Sequence, residues 1–515
     1  MIIPFILEKA RSLYGNKEAV ICDQTRLTYN QFTDRVFALA NFLKTKGVGI
    51  GDRIAILHQN SHEFMESYFA TAQLGAALNP LNIRLTPGDM AYILKDSGAS
   101  YLIASNRFEE KVGQILSMDT ELEGVIWTGD GYQSASTNFY SYEDILTRSD
   151  TTPLSYEFSE EQLAHLYYTS GTTGRPKGVM LSHKNVCLHA LAAIAELKVT
   201  DHDHWIHVAP LFHLADAWAT FAITWVGGKH ILMPDFDPES ILYTIEQEKV
   251  TITNLVLTML NALINDENVS SFDYSSLRAL LSGGAPIAPE LVKKIIQTFK
   301  CDYVQTYGMT ETSPYLTLSI LKDNLRLFPD EEQFKFKAKT GRPFMGVRVK
   351  VVREDGTEVS ADDHEVGEII VKGDIVTKGY WNLPEETEKS IKEGWLYTGD
   401  LAVVDSEGYL DIVDRKKDMI ITGGENVYSI EVENVLYSHP AVLEAAVIGV
   451  PDHKWGEAVK AIVVLKPDQM ITEEEMILFC KDHLAGYKAP KSVDFIDELP
   501  KTGSGKIFKK GLKST

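Results

Sequence analysis

Residues 163–182 read LAHLYYTSGTTGRPKGVMLS. The apolar run LAHLYY suits a strand, and a second apolar run, VMLSH, follows from residue 179. Between them Gly171, Gly174 and Gly178 permit positive φ and let backbone N–H groups converge on an anion. Ser170, Thr172 and Thr173 add hydroxyl donors, and Lys177 adds a compact positive charge. These are the parts of a polyphosphate cradle, and they also suit a flexible surface hairpin. The stretch is not the G-x-x-x-x-G-K-[ST] loop, because the glycine-to-lysine spacing differs and Pro176 precedes the lysine.

The surrounding chain alternates strand and helix patterns up to about residue 320. DRIAILHQ (52–59) reads as a strand, and HEFMESYFATAQLGA (62–76) and TPGDMAYILKDSG (86–98) read as helices. The last of these starts with Thr86 as N-cap and Pro87 at the first helical position. HWIHVAPLF (204–212), LADAWATFAITWVGG (214–228), KHILMP (229–234) and DPESILYTIEQEK (237–249) repeat the alternation. Such alternation implies parallel sheets covered by helices. From about residue 341 short valine-rich strands take over: GVRVKVV, GEIIVKG, LAVVD and GYLDIVD, separated by turns such as EDGTE and DSEGY. They predict a small β-subdomain. After the charged run DRKKD (414–418) the texture becomes mixed, with SIEVENVLYSHP helical and VLEAAVIGV a strand. That run reads either as a domain boundary or as a solvated turn.

At 515 residues the chain exceeds one core and predicts two to four domains or subdomains. A formal charge of -22 argues against general nucleic-acid binding, because a polyanion is repelled at long range. The scattered thiols Cys22, Cys187, Cys301 and Cys480 contain no CxxC pair and read as buried or free thiols of a reducing compartment. MIIPFILEKARSLYG is too short and too soon charged for a secretory or membrane segment, so the expectation is a soluble cytoplasmic protein without a transmembrane segment.

Further motifs follow in order: PLFH (210–213), SGGAP (282–286), YGMTE (307–311), YTGD (397–400), GYLDIVDRKKD (408–418) and PKTGSGK (500–506). With the glycine loop, this series resembles the adenylate-forming superfamily, in its acyl-CoA synthetase branch. The resemblance implies an α/β fold: a large N-terminal domain of two helix-covered, mostly parallel sheets plus a small β-barrel-like subdomain, followed by a small mobile α+β C-terminal lid. It implies an N-terminal domain over 1–414, a C-terminal domain over 418–515, and a hinge at 415–417 with Lys417 as the hinge residue.

It also implies the site. ATP is held by the loop (Thr169, Ser170, Gly171, Thr172, Thr173, Gly174 and Lys177) and by Gly284, Ala285 and Pro286. The run Gln305, Thr306, Tyr307, Gly308, Met309 and Thr310 passes along the nucleotide, with Tyr307 stacking on adenine. Asp400 and Arg415 clamp the ribose, and Ile412 also contacts the nucleotide. Glu311, with Thr169, holds Mg²⁺, for which a carboxylate is a suitable hard donor. Lys506, His213, Thr310 and Glu311 are the catalytic candidates. The acyl pocket draws on His213, Trp218, Thr258, Gly283, Gly284, Thr306 and Met309. Gly423, Gly424 and Glu425, in the turn TGGEN, line the CoA channel.

The implied reaction has two halves: a carboxylate attacks the α-phosphate of ATP to give acyl-AMP and pyrophosphate, and the CoA thiol then displaces AMP. Lys506 serves the first half and leaves when the C-terminal domain rotates. PLFHLADAW lacks the aspartate-bearing motif of amino-acid-activating relatives and favours an uncharged acyl group. Asp216 reads as a solvent-facing helix residue or as a pocket residue. Thr306 stands where relatives often carry glycine and should narrow the pocket. Medium- or long-chain fatty acids lead, with an aryl or arylpropenoic acid second. Loading of a carrier protein, or a catalytically silent nucleotide-binding protein, are the other readings. Homodimers are common in the family.

Overall fold

The computed structural model describes residues 1–129, 138–169, 175–501 and 507–513. The chain forms two compact units, one of residues 1–348 and 371–396, the other of residues 349–370 and 397–515. It passes from one to the other inside three of the valine-rich strands, Val347–Val352, Gly367–Gly373 and Trp395–Val404.

The larger unit is built on two sheets, as the alternation predicts. Among the described residues, one has nine strands in the order 342–343, 315–318, 302–308, 279–283, 252–254, 204–207, 229–232, 18–22 and 25–28. Its central pairings are parallel, and antiparallel strands flank them at both sides. The other has seven, in the order 139–141, 124–128, 101–105, 53–57, 77–80, 163–169 and 177–182, and all but its last pairing are parallel. Buried on both faces, such strands read as near-continuous apolar runs. Helices begin where local chemistry provides a cap. The Thr86 hydroxyl accepts from the Asp89 N–H ahead of Pro87–Ser97, and Gly98 ends that helix at φ +61°. Asp237 caps Pro238–Gln247 in the same way. Each cap contributes about 1 kcal/mol.

The smaller unit carries the pairing of Trp395–Val404 with Leu410–Arg415 and a sheet of strands Ile420–Thr422, Glu425–Val427, Val442–Asp452, Gly456–Leu465 and Ser492–Phe495. Helices Ser429–Ser438 and Glu473–His483 cover it through Val432, Leu436, Met476 and Cys480. No helix among the described residues is long and apolar enough to cross a membrane.

Candidate active site

In the larger unit the strands Leu163–Thr169 and Lys177–Ser182 are antiparallel, with Thr169 opposite Lys177. The register brings together both ends of the glycine loop. Ser170, Gly171, Thr172, Thr173 and Gly174 lie outside the described residues. Lys177 is mostly buried and donates to the Glu386 carboxylate, and its ammonium sits 5.4 Å from the Tyr380 ring centroid. Lys177 and Lys389 hold the Glu386 carboxyl down at about 2. Glu311, in the turn Thr310–Thr312, is buried, and its Oε1 accepts from the Tyr380 hydroxyl at 2.9 Å. Burial and that carboxylate raise the Tyr380 phenol well above its usual range. The segment is fastened by Thr377 N–H to the Glu311 carbonyl (2.7 Å) and Trp381 N–H to the Gly178 carbonyl (2.7 Å). Residues 377–386 therefore join Lys177 to Glu311. Sequence reasoning passed over this stretch; its signal was the aromatic pair Tyr380–Trp381 running into a Pro384 helix start.

The purine and acyl motifs lie on neighbouring strands. Ala279–Gly283 pairs in parallel with Asp302–Gly308, which sets Gly283 against Thr306. A Cβ at Gly283 would lie 2.3 Å from Thr306 Oγ1, so the threonine occupies the room the glycine leaves. Gly284 turns the chain at φ +86°, and the Gln305 amide donates to the Ala285 carbonyl at 2.8 Å, fixing the path toward Pro286. Tyr307 and Met309 are half-buried at the strand end. Gly308 has no alternative: a Cβ there would meet the Pro314 carbonyl at 1.8 Å.

His213 is the N-cap residue of helix Leu214–Val226. One turn later Trp218 is buried, its indole N–H donating to the Tyr315 hydroxyl at 3.0 Å and the Ala215 carbonyl at 3.1 Å. Thr306 lies beside the Tyr315 hydroxyl and works against the upward push of burial on that phenol. His189 packs on Trp218, Tyr315 and Phe344. Thr258 is exposed on helix Leu257–Ile264. Asp216 is neither solvent-facing nor open to a pocket. It is fully buried, accepting from Trp205 Nε1 (3.0 Å) and bonded to His207 Nδ1 (2.6 Å). His207 continues to His230 and Thr224. A polar residue on an amphipathic helix reads as solvated; here a chain of buried partners compensates it.

In the smaller unit Asp400 pairs with Arg415 across two strands, with Oδ1 3.3 Å from Nε, and Ile412 lies opposite Ala402. The arginine is half exposed, so this ion pair is weak and easily rearranged. Lys416 bonds Glu368 at 3.0 Å just ahead of Lys417. Gly423 and Gly424, at φ +60° and +85°, form a two-residue hairpin turn between Thr422 and Glu425. Lys506 lies outside the described residues. The flanks of its segment meet: Lys501 bridges Ile507, and Phe508 N–H donates to the Pro500 carbonyl at 2.7 Å.

Residues 7–381 match the AMP-binding enzyme family, and residues 431–506 match the AMP-binding enzyme C-terminal domain. The chain is similar to a feruloyl-CoA synthase from an Amycolatopsis species, 39% identical over 94% of this chain and 93% of the relative. A long-chain-fatty-acid–CoA ligase of Thermus thermophilus is 35% identical, over 98% of this chain and 94% of that one. Among solved structures, the o-succinylbenzoate–coenzyme A synthetase MenE of Bacillus subtilis, in complex with ATP and magnesium, matches with a TM-score of 0.85 and 31% identity over 99% of both chains.

Proposed function

The chain belongs to the AMP-binding enzyme family and is an AMP-forming acid–CoA ligase using ATP, Mg²⁺ and CoA, and from that premise we propose that its acid is a compact aryl or arylpropenoic acid. The observation that carries this reading is the buried wall of Trp218, hydrogen-bonded to Tyr315, with Thr306 beside that tyrosine, backed by His189 and Phe344. A long alkyl chain running past Thr306 would have to displace buried rings that are already packed and bonded. A flat ring ending in front of the wall would not. The 39% relative that makes feruloyl-CoA agrees with this reading. The Thermus relative favours the second reading, a medium- or long-chain fatty acid.

The proposed roles follow from the chemistry of each group. Carboxylate and polyphosphate repel each other, so catalysis consists of positioning and charge neutralisation, with no protein nucleophile. Lys177 and the loop hydroxyls hold the outer phosphates. The buried Glu311 carboxylate, with Thr169, suits Mg²⁺, which supplies neutralisation of the phosphates when bound. Tyr307 stacks on the purine, and Asp400 and Arg415 take the ribose. Lys506 bridges the attacking carboxylate and the α-phosphate. His213 stands beside the acyl group, Gly423–Glu425 line the approach of the thiol, and the hinge at 415–417 separates domains 1–414 and 418–515.

A panel of acids assayed for pyrophosphate release and CoA-thioester formation tests the substrate. Arylpropenoic acids should exceed straight-chain fatty acids by about tenfold or more in kcat/KM, and Thr306→Gly should shrink that ratio. Preference for long alkyl chains, unchanged in Thr306→Gly, would refute the wall.

A further inference from the structure

The tail that carries Lys506 is tied into the smaller unit at both ends. Before it, Lys501 pairs with Glu444 at 2.8 Å. After it, Lys509 Nζ donates to Glu433 Oε1 at 2.7 Å and to Ser429 Oγ at 2.6 Å. Both partners of the second pair are mostly buried, with side-chain exposures of 17% and 13%. Ser429 passes the connection on. Its hydroxyl donates to Asp414 Oδ1 at 3.0 Å and its N–H donates to Oδ2. Asp414 directly precedes Arg415, whose N–H it accepts at 2.7 Å. Glu433 also accepts from Val447 N–H at 2.8 Å, so helix Ser429–Ser438, strand Val442–Asp452 and the tail converge on one carboxylate.

Docking the tail does not require this network. Ile507 and Leu512 already pack with Leu499, Ala446 and Ile448. Apolar packing is non-directional, however, whereas a buried ion pair fixes register at some expense in stability. Burial raises both the Asp414 and the Glu433 carboxyl above the usual range, and the Lys509 ammonium offsets part of that rise in each, so one cation serves two buried acids. A lysine that must meet a developing charge during only half of a cycle needs the chain that carries it set in direction as well as in place. A misplacement of about 1 Å costs on the order of a hundredfold in rate.

We propose that Lys509 is a positioning residue for acyl-adenylate formation: through Glu433 and through Ser429–Asp414 it locks the end of the tail that follows Lys506 to the segment that bears Arg415. The inference rests on the role given to Lys506 above, and it concerns the first half-reaction alone.

The test uses the full-length chain with the two half-reactions assayed separately, pyrophosphate release with acid and ATP, then thioester formation from supplied acyl-adenylate and CoA. Lys509→Met should lower the first about 10- to 100-fold in kcat while ATP KM and the second step stay within about threefold. Lys509→Arg should restore most of the loss, since it keeps the charge. Glu433→Gln, which keeps an acceptor for Val447, should give the same split in smaller measure and serves if Lys509→Met does not fold. Equal loss in both steps would make the network merely structural, and no loss in either would remove it from the reaction; both outcomes overturn the proposal. Lys506→Ala separates the premises. If it adenylates normally, the role of Lys506 fails and this inference with it; if it is crippled while Lys509→Met is not, only this inference falls.

Discussion

Lys177 illustrates how a single side chain is held between two duties. The proposed reaction sets its ammonium against phosphate, yet in the structure it donates to Glu386 and faces the Tyr380 ring. An incoming polyphosphate must therefore displace a carboxylate before it gains the lysine. Such a partly exposed pair is worth up to about 1 kcal/mol, and that much is set against nucleotide binding. Glu386→Gln should accordingly lower the KM for ATP about two- to fivefold, with the Tyr380 ring still holding the ammonium near its place. Because the Glu386 carboxyl is held at about 2, the wild-type competition is fully present at every pH above about 4, and ATP KM should show no titration through the usual carboxylate range. Steady-state kinetics in ATP decides it: a KM that is unchanged or higher in Glu386→Gln would mean that the carboxylate orients the lysine and does not compete for it.

The hairpin at Gly423–Gly424 shows what a short element demands. Thr422 pairs with Glu425, which leaves two turn residues, both at positive φ. That turn matches the twist of the flanking strands, and a β-branched residue there is strained by about 1–2 kcal/mol. At Gly423 the room is missing as well, since a Cβ would lie 2.9 Å from the Trp455 ring, whereas Gly424 faces open space. Gly424→Asn should be tolerated, while Gly424→Val should raise the KM for CoA and lower the melting temperature of the smaller unit. A normal CoA KM in a destabilised Gly424→Val would detach the turn from the thiol channel. This turn, the cap at Thr86 and the strand–helix alternation were legible in the sequence because each is a local signal within a few residues. Asp216 and the 377–386 segment were not. Their partners lie far along the chain or on other elements, such as Trp205 and His207 for Asp216 and Glu311 for Tyr380, and a polar residue without its partner in view reads as solvated.

At the scale of the whole larger unit, the interior holds an unusual set of neutral imidazoles. His165, His183 and His189 are buried or nearly so, and desolvation pushes each down to about 3; His58 and His230 are lowered for the same reason. A histidine whose folded pKa lies below its unfolded value of about 6.5 takes up its proton more readily when unfolded. The stability of the neutral fold is thus complete above about pH 6.5 and lost as pH falls toward 3, by about 1.4 kcal/mol per pH unit for each such group. The larger unit should lose stability steeply below pH 6, well before its carboxylates titrate. His165 offers the cleanest test. Its ring packs on Tyr68, Tyr167 and Phe221, with centroids 5.0, 5.9 and 5.2 Å away, and neither ring nitrogen has a hydrogen-bond partner among the described residues. A phenyl ring suits that cage better than an imidazole, since an unsatisfied buried polar group costs about 1–3 kcal/mol. His165→Phe should therefore keep or raise the melting temperature at neutral pH. It should also flatten the fall of unfolding free energy between pH 6 and 4 by about one proton, 1.4 kcal/mol per pH unit. Chemical denaturation of both proteins across that range measures the slope directly. An unchanged slope would mean that His165 keeps its proton in the folded chain, and that the acid sensitivity of this unit arises elsewhere.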